Sequence, residues 1–379
     1  MKRIWVYALC LLVAGMFAAG DCGAQAKKPI VFGNMADLTG TYAAMSKDQV
    51  DAMEMAVNEI NAAGGLLGRK IKMVTEDTQT SVAMTTRKLE RLVSEEKADF
   101  LFSPVTSAST LAIMPLAEKY DRIMMVSMSQ SIKITTTDKN KYTFRTCANP
   151  SITGVYLVDW MMKNLGKKVY MLNVDYAWGR STSEMYNKFL KEKGANIVGE
   201  TFFPLGTKDF APYFGKIKAA QPQILFVTCA GNDAISVLAQ LEQYGLKKTM
   251  AITGDGSLVA SDVLPAMGKS ADGVITADYY ADSLDTPAHK KWAASYKKLY
   301  KREPSKFAVS SYEAVMWLAQ AIRKAGTTES KKVISALEGS TYTGPLGEKK
   351  MDADSHQTSL KIYMIKIENG KPKIFATAN

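Results

Sequence analysis

Short apolar runs alternate with segments of helical periodicity along most of this chain. Each run fits a buried β-strand, and a helical pattern follows it in nearly every case. Such βαβ repetition favours a mainly parallel sheet with helices on both faces. A first series of strands is predicted near 30–36, 70–76, 99–103 and 122–128, and a second near 168–174, 196–203, 223–229, 249–253 and 273–279.

The two series of strands indicate two lobes rather than one core. About 350 residues are too many for one compact α/β core, and the second series opens after Asn149-Pro150. Asp209 is expected to cap one helix of this series, while Gly194 and Gly245 are expected to end two others. After Tyr279 the pattern changes to helices near 286–302, 307–325 and 329–338, and then to a C-terminal hairpin from residue 361.

The N-terminus is typical of an export signal. Lys2 and Arg3 precede an apolar run, Ile4 to Ala19, that is short for a membrane span, and Ala24-Gln25-Ala26 fits a cleavage site. We therefore predict a signal peptide over residues 1–26, a mature chain beginning at Lys27 and a periplasmic location. A membrane anchor and a lipoprotein attached through Cys22 are the alternatives. Asp21 disfavours the second, since lipid attachment requires small residues before the cysteine.

The charge and the cysteines narrow the class of protein. The formal charge is +11, but basic pairs such as Lys167-Lys168 are interspersed with acids along the chain, so a solvated surface is favoured over nucleic-acid binding. Cys147 and Cys229 both follow apolar strands, which fits two buried thiols, although an exported protein could also pair them. We expect a monomer.

Catalysis is disfavoured by the motifs that the chain lacks. It has no nucleophile elbow, no phosphate-binding glycine loop and no zinc-protease helix motif. His289 and His356 are its only histidines, and neither lies near a cysteine in sequence. We therefore expect a binding protein without a cofactor or metal.

Several short motifs follow one another in order along the chain. They are Leu38-Thr39-Gly40, Asn61-Ala62-Ala63-Gly64-Gly65, Ser103-Pro104-Val105-Thr106-Ser107, Phe144-Arg145-Thr146, Asp175-Tyr176-Ala177-Trp178-Gly179 and Phe203-Pro204-Leu205-Gly206. In this combination the mature chain resembles the periplasmic branched-chain amino acid (Leu/Ile/Val) binding protein family.

The resemblance implies an organisation and a role. The fold would be type I, with two doubly wound, Rossmann-like lobes joined by three crossovers and closing over one ligand like a Venus flytrap. The lobes would comprise 27–146 plus 284–348 and 147–283 plus 349–379. The protein would capture a small molecule and deliver it to a membrane ABC permease. A soluble sensor for a membrane receptor is the alternative from another class.

Residues on the first lobe point to a ligand carboxylate. Ser107 follows a predicted strand and begins a helix, where free N–H groups and the helix dipole favour an anion. It matches the family's carboxylate-contacting serine, and a plain N-cap is the other interpretation. By resemblance Ser129 and Ser131 are further contacts, although Met128 stands where the family usually has proline. Met45 is a candidate for the cavity wall.

Residues on the second lobe bear on the class of ligand. Asp255 lies at a strand end between two glycines and matches the family's acceptor of a ligand ammonium, although a turn-forming role is also compatible. Trp178, where the family often has tyrosine, could cover an apolar ligand or anchor its own helix. Tyr279 is a further wall candidate. Asp255 favours a hydrophobic or branched-chain amino acid, whereas Trp178 and Met45 leave room for an aromatic or keto carboxylate.

Overall fold

The computed structural model describes residues 27–378. The predicted leader, its cleavage site and Cys22 lie outside the described residues. Within them, the first of two large sheets has five parallel strands in the order β2-β1-β3-β4-β5. The chain up to β5 runs through β1 (Ile30–Ala36), α1 (Ala43–Ala62), β2 (Ile71–Asp77), α2 (Val82–Ser94), β3 (Phe100–Phe102), α3 (Ser107–Lys119), β4 (Met124–Val126) and β5 (Thr143–Arg145).

The second sheet has seven strands in the order β14-β13-β10-β9-β8-β6-β7. Five are parallel, and the last two form an antiparallel hairpin along β10. The elements up to β10 are α4 (Pro150–Asn164), β6 (Lys168–Val174), α5 (Ala177–Glu192), β7 (Asn196–Phe203), α6 (Ala211–Ala220), β8 (Ile224–Thr228), α7 (Gly231–Gln243), β9 (Ala251–Asp255), α8 (Leu264–Met267) and β10 (Ile275–Asp278).

Three connections join the two sheets, and we call each sheet with its helices a lobe. The chain passes from β5 to α4, which packs on the second sheet, and from β10 back to helices that pack on α1 of the first lobe. It crosses a third time to reach the hairpin. The remaining elements are α9 (Pro287–Tyr300), α10 (Lys306–Ala325), α11 (Ser330–Leu337), β11 (Thr341–Gly344), β12 (Gly347–Lys350), β13 (Ile362–Glu368) and β14 (Lys371–Ala378).

The third connection comes later in the chain than the resemblance implies. The Arg145 N–H of β5 donates to the His356 carbonyl at 2.9 Å, and the Thr358 N–H donates to the Arg145 carbonyl at 3.0 Å. The His356 ring stacks on Phe144. Residues 349–358 therefore lie with the first lobe, whereas the sequence prediction placed them in the second. This pairing extends over too few residues to leave an alternating pattern in the sequence.

Arg145 is fully buried beside this connection. Its Nη1 donates to the Ser131 carbonyl at 2.6 Å, and its Nε donates to Gln357 Oε1 at 2.6 Å. Burial lowers the pKa of Arg145 to about 10, so the side chain stays charged at neutral pH. The guanidinium thus fastens the loop after β4 to the segment that precedes the third connection.

Local signals explain most helix ends. Asn149 caps α4, with Pro150 as its first residue, and the glycines at 194 and 245 adopt positive φ just after α5 and α7, as predicted. One prediction is wrong by a residue: Phe210 occupies the N-cap position of α6, and Asp209 instead accepts from the Ala211 N–H at 3.0 Å.

The two cysteines of the described chain are both buried and unpaired, in agreement with the prediction of two buried thiols. None of the helices in the described part combines the length and apolarity that crossing a bilayer requires. The lobes touch each other in this structure: the Tyr42 hydroxyl of the first lies 2.9 Å from the Tyr176 hydroxyl of the second.

Candidate functional site

A small cavity of about 250 Å³ lies between the two lobes. It forms where the carboxyl ends of the parallel strands face each other, as expected for open α/β sheets. The first lobe lines it with Tyr42, Met45, Val105, Ser107, Met128, Gln130 and Phe307, and the second with Tyr176, Trp178, Ala230 and Ser257.

Ser107 is the first residue of α3, and this helix start is open toward the cavity. No side chain caps α3. The carboxylate of Asp37 accepts from the Val105 and Thr106 N–H groups at 3.1 and 3.3 Å, but the N–H groups of 107–109 find no acceptor in the described chain. Ser107 is therefore not an N-cap. Its Oγ accepts from the Ser131 N–H at 3.0 Å, which leaves the hydroxyl hydrogen for another acceptor.

Two helices of the second lobe begin at the same cavity. No side chain caps α5 or α7, and the residues that precede them, Tyr176 and Ala230, both line the cavity. Asp233, in the first turn of α7, does not line it and accepts from the Gly206 N–H at 3.0 Å. Burial raises the pKa of Asp233 to about 6. Three uncapped helix N-termini thus direct positive dipole ends at one space.

The side chains around the cavity offer hydrogen-bond donors. The indole N–H of Trp178 is buried and has no partner in the described chain. The Tyr42 and Tyr176 hydroxyls bond to each other, which uses only one of their two hydrogens. Burial raises the pKa of both tyrosines, so both hydroxyls stay protonated. No carboxylate is among the lining residues. An acceptor-rich, anionic ligand fits this set of donors.

The rest of the wall is apolar and mostly aromatic or thioether. The Tyr176 ring lies 6.4 Å from the Tyr42 ring and 6.0 Å from the Trp178 ring, and Phe307 and Met45 add to the apolar surface. Aromatic rings pack favourably at such distances. The site therefore offers a flat, apolar environment next to its donors.

The structure brings together three of the residues predicted from the sequence. Ser107, Met45 and Trp178 line the cavity, and Ser131 lies just behind Ser107. Ser129 does not line it. The hydroxyl of Ser129 instead contacts the carbonyls of Pro104 and Val105 at 2.9 and 3.0 Å, which anchors the loop before α3.

Two predicted residues lie apart from the cavity. Asp255 is buried behind the wall, where its carboxylate accepts from the Ser257 N–H at 2.9 Å and caps a short 3-10 helix at Gly256–Val259. Tyr279 lies at the second connection, and its hydroxyl donates to the Lys306 carbonyl at 3.4 Å. Asp255 ends β9 and Tyr279 follows β10, both at the cleft, but neither side chain lines the cavity.

Sequence reasoning missed several lining residues, including Tyr42, Gln130, Tyr176, Ser257 and Phe307. Tyr176 lies inside a motif already noted, and Ser257 follows Asp255 by two residues. Phe307 belongs to α10, which is remote in sequence from the other lining elements, and no pattern in the chain connects it with them.

Comparison with known proteins agrees with this architecture. The family model described as periplasmic binding protein matches residues 29–372. A Leu/Ile/Val-binding protein homolog 8 from Brucella abortus (strain 2308) is 25% identical over 323 residues, covering 82% of this chain and 80% of the relative.

Solved structures show the same fold. A solute binding protein of an ABC transporter from Rhodopseudomonas palustris BisB5, in complex with 3,4-dihydroxy benzoic acid, superimposes with a TM-score of 0.87 at 26% identity, covering 93% of this chain and 97% of the other. A leucine binding protein from Thermotoga maritima MSB8 gives a TM-score of 0.84 at 22% identity, covering 92% and 99%.

The fold and the cleft define a two-lobed binding protein rather than an enzyme, and the relatives named above are binding proteins as well. Since the family model spans most of its length, the chain belongs to the periplasmic binding protein family.

Proposed function

We propose that this chain is an extracytoplasmic solute-binding protein that captures a small aromatic carboxylate and delivers it to a membrane ABC permease. One observation carries the choice of ligand. The cavity between the lobes combines aromatic walls and unpaired donors with three uncapped helix N-termini, and no carboxylate lines it.

The chemistry of the cavity wall supports a small aromatic acid, since hydrogen-bond donors and aromatic rings lie side by side in it. A ring with one carboxylate satisfies both parts of the wall. The carboxylate accepts hydrogen bonds from Ser107 and the start of α3, while the ring packs between Tyr42, Tyr176 and Trp178.

An amino acid is the second candidate, since the Brucella relative is named a Leu/Ile/Val-binding protein homolog. Its ammonium would need an anionic partner in the closed cleft, because a buried unpaired charge is strongly unfavourable. Asp255, on which the sequence argument for an amino acid rested, already caps the 3-10 helix and does not line the cavity. The geometry therefore favours an acid without an amine, the alternative that the sequence left open. The Rhodopseudomonas relative, bound to a dihydroxybenzoic acid, supports this choice.

Isothermal titration calorimetry of the unmodified protein tests the proposal. Benzoate and hydroxybenzoates are expected to bind, whereas benzamide, which lacks the anion, is expected to lose at least about tenfold in affinity, as for a lost charge-assisted hydrogen bond. Leucine and phenylalanine are expected to bind more weakly than benzoate. The proposal is wrong if either amino acid binds tightly and no aromatic acid does.

Export and delivery belong to the same proposal. Residues 1–26 carry the features of a signal peptide, so intact-mass measurement on periplasmic extract should show a chain that begins at Lys27. A diacylglyceryl group on Cys22 would contradict this. Loss of labelled benzoate uptake on deletion of the gene distinguishes a transport role from the soluble-sensor alternative.

A further inference from the structure

A buried lysine stands behind one wall of the cavity without lining it. Lys306 is the first residue of α10 and is 2% exposed. Its ammonium lies 2.7 Å from Asp278 Oδ2 and 3.0 Å from Ser257 Oγ. Ser257 itself lines the cavity. The lysine of the first lobe thus reaches the ligand space through one hydroxyl group of the second.

The hydrogen bonds of the Ser257 hydroxyl leave its own hydrogen without an acceptor among the described residues. Its Oγ accepts from Lys306 Nζ and from Gln130 Nε2, the latter at 3.2 Å. A hydroxyl oxygen has two lone pairs and one hydrogen, so this hydrogen must find its acceptor elsewhere. No acceptor for it exists in the described chain, and the cavity is the space that Ser257 and Gln130 share. A reversed Gln130 amide would give the same surplus, because its NH₂ group would then be the free donor.

The surrounding charges decide which acceptor suits this donor. The Lys306 cation polarises the Ser257 hydroxyl and strengthens it as a donor. However, Asp278 pairs with the ammonium, and the buried Asp255 carboxylate is close enough to interact with both. Although burial opposes the charge, these carboxylates raise the pKa of Lys306, so it stays protonated. With two acids beside one cation, a second ligand carboxylate is repelled and a neutral oxygen is favoured.

We propose that Lys306 is a positioning residue that makes the Ser257 hydroxyl a hydrogen-bond donor to the ligand. The protein then selects aromatic monocarboxylates that place a neutral acceptor oxygen, such as a ring hydroxyl, next to Ser257. This inference rests on the proposed function, because it concerns a ligand in the same cavity. It adds a specificity determinant that does not touch the ligand.

Matched ligand pairs measure the effect by calorimetry. The pairs are 3-hydroxybenzoate with 3-methylbenzoate and 4-hydroxybenzoate with 4-methylbenzoate, in which a hydroxyl replaces a methyl group of similar size. In the unmodified protein, the hydroxyl member of at least one pair should bind about tenfold more tightly, the range of a polarised hydrogen bond. In the para series, 4-aminobenzoate should bind like the methyl compound, because its amino group is a donor with a poor acceptor nitrogen. Terephthalate should bind more weakly than 4-hydroxybenzoate, because its second carboxylate is repelled.

The variant Lys306→Met with Asp278→Asn removes both charges, so that neither is left buried and unpaired. Its ratio of hydroxyl to methyl affinities should fall to about one to three, while the methylbenzoates keep most of their affinity. A matched control is Lys349→Met with Glu313→Gln, a second buried ion pair that does not contact the cavity. The control should keep the ratio, even if stability falls.

Ser257→Ala provides a second measurement, because it removes the donor and leaves the ion pair in place. It should lower the ratio as the charge-removing variant does. If the methylbenzoates still bind both variants and the ratio of hydroxyl to methyl affinities is unchanged in both, the role of Lys306 is refuted and the proposed function stands. Failure of every aromatic acid to bind the unmodified protein would refute both.

Discussion

Replacement of Ser107 by alanine tests the anion site directly. In the structure, Ser107 Oγ accepts from the Ser131 N–H at 3.0 Å and keeps its own hydrogen free for the cavity. The Ser107→Ala variant therefore loses a donor to the ligand carboxylate, at a cost of about 1.5 to 3 kcal/mol, or roughly 10- to 150-fold in Kd. It also leaves a buried N–H unpaired, which lowers the free energy of unfolding by about 1 to 3 kcal/mol.

The assay combines calorimetric titration with benzoate and a denaturant melt of the ligand-free protein. Ser109→Ala is the matched control on the same helix, since the Ser109 hydroxyl is buried but does not line the cavity. The control should keep its affinity within about twofold, well below the loss of one hydrogen bond. If Ser107→Ala also binds benzoate within twofold of the parent while its stability falls, Ser107 supports only the loop, and the carboxylate lies elsewhere.

Three further predictions follow from the same geometry. Asp255→Asn should change benzoate affinity by no more than about threefold, because the side chain does not line the cavity; a loss of benzoate binding measured by calorimetry would contradict its placement outside the ligand site. Asp262 is half-buried, but both of its carboxylate oxygens are shielded and unpartnered. Burial is the main cause that raises the pKa of Asp262 to about 7, and the nearby Asp48 carboxylate raises it further. The Lys306 cation lowers the pKa of Asp262, and Arg302 pairs with Asp48. The folded state then holds a proton that the unfolded state releases near pH 4, so stability falls as pH rises from about 4 to 7. Asp262→Asn should therefore raise the melting temperature at pH 8 and not at pH 3.5, and an equal gain at both would contradict this reason. Small-angle scattering should show a smaller radius of gyration with benzoate than without it, since a ligand that touches both lobes favours the closed state; identical curves at saturation would indicate a rigid protein.

The apolar pattern of the sequence correctly predicted the strands that are buried on both faces. Strands such as Ile30–Ala36 are buried along their whole length, so their apolar runs predicted a parallel sheet. The stop signals at Gly194 and Gly245 were also correct, because a left-handed residue after a helix favours glycine. Residues 349–358 were assigned to the wrong lobe, since isolated backbone pairing with Arg145 depends on a partner that is remote in the chain.

The site was harder to predict than the fold. The position of Ser107 at the cavity could be predicted because strand, turn and helix start follow one another in sequence. Asp255 also ends a strand at the cleft, yet its side chain turns back to the Ser257 N–H, a choice that no pattern reveals. Gln130 and Ser257 become neighbours only when the lobes meet, because they lie on opposite sides of the cleft.

The buried Arg145 has a consequence for the order in which the ligand meets the two lobes. It fixes the loop that carries Gln130 and Ser131, and through Ser131 the Ser107 hydroxyl, without any group from the second lobe. The part of the first lobe that presents the Ser107 hydroxyl is therefore preorganised before closure, and its ordering entropy is spent during folding rather than on association. We therefore expect an acid to bind first to the first lobe through Ser107. The second lobe would then close over the bound ligand.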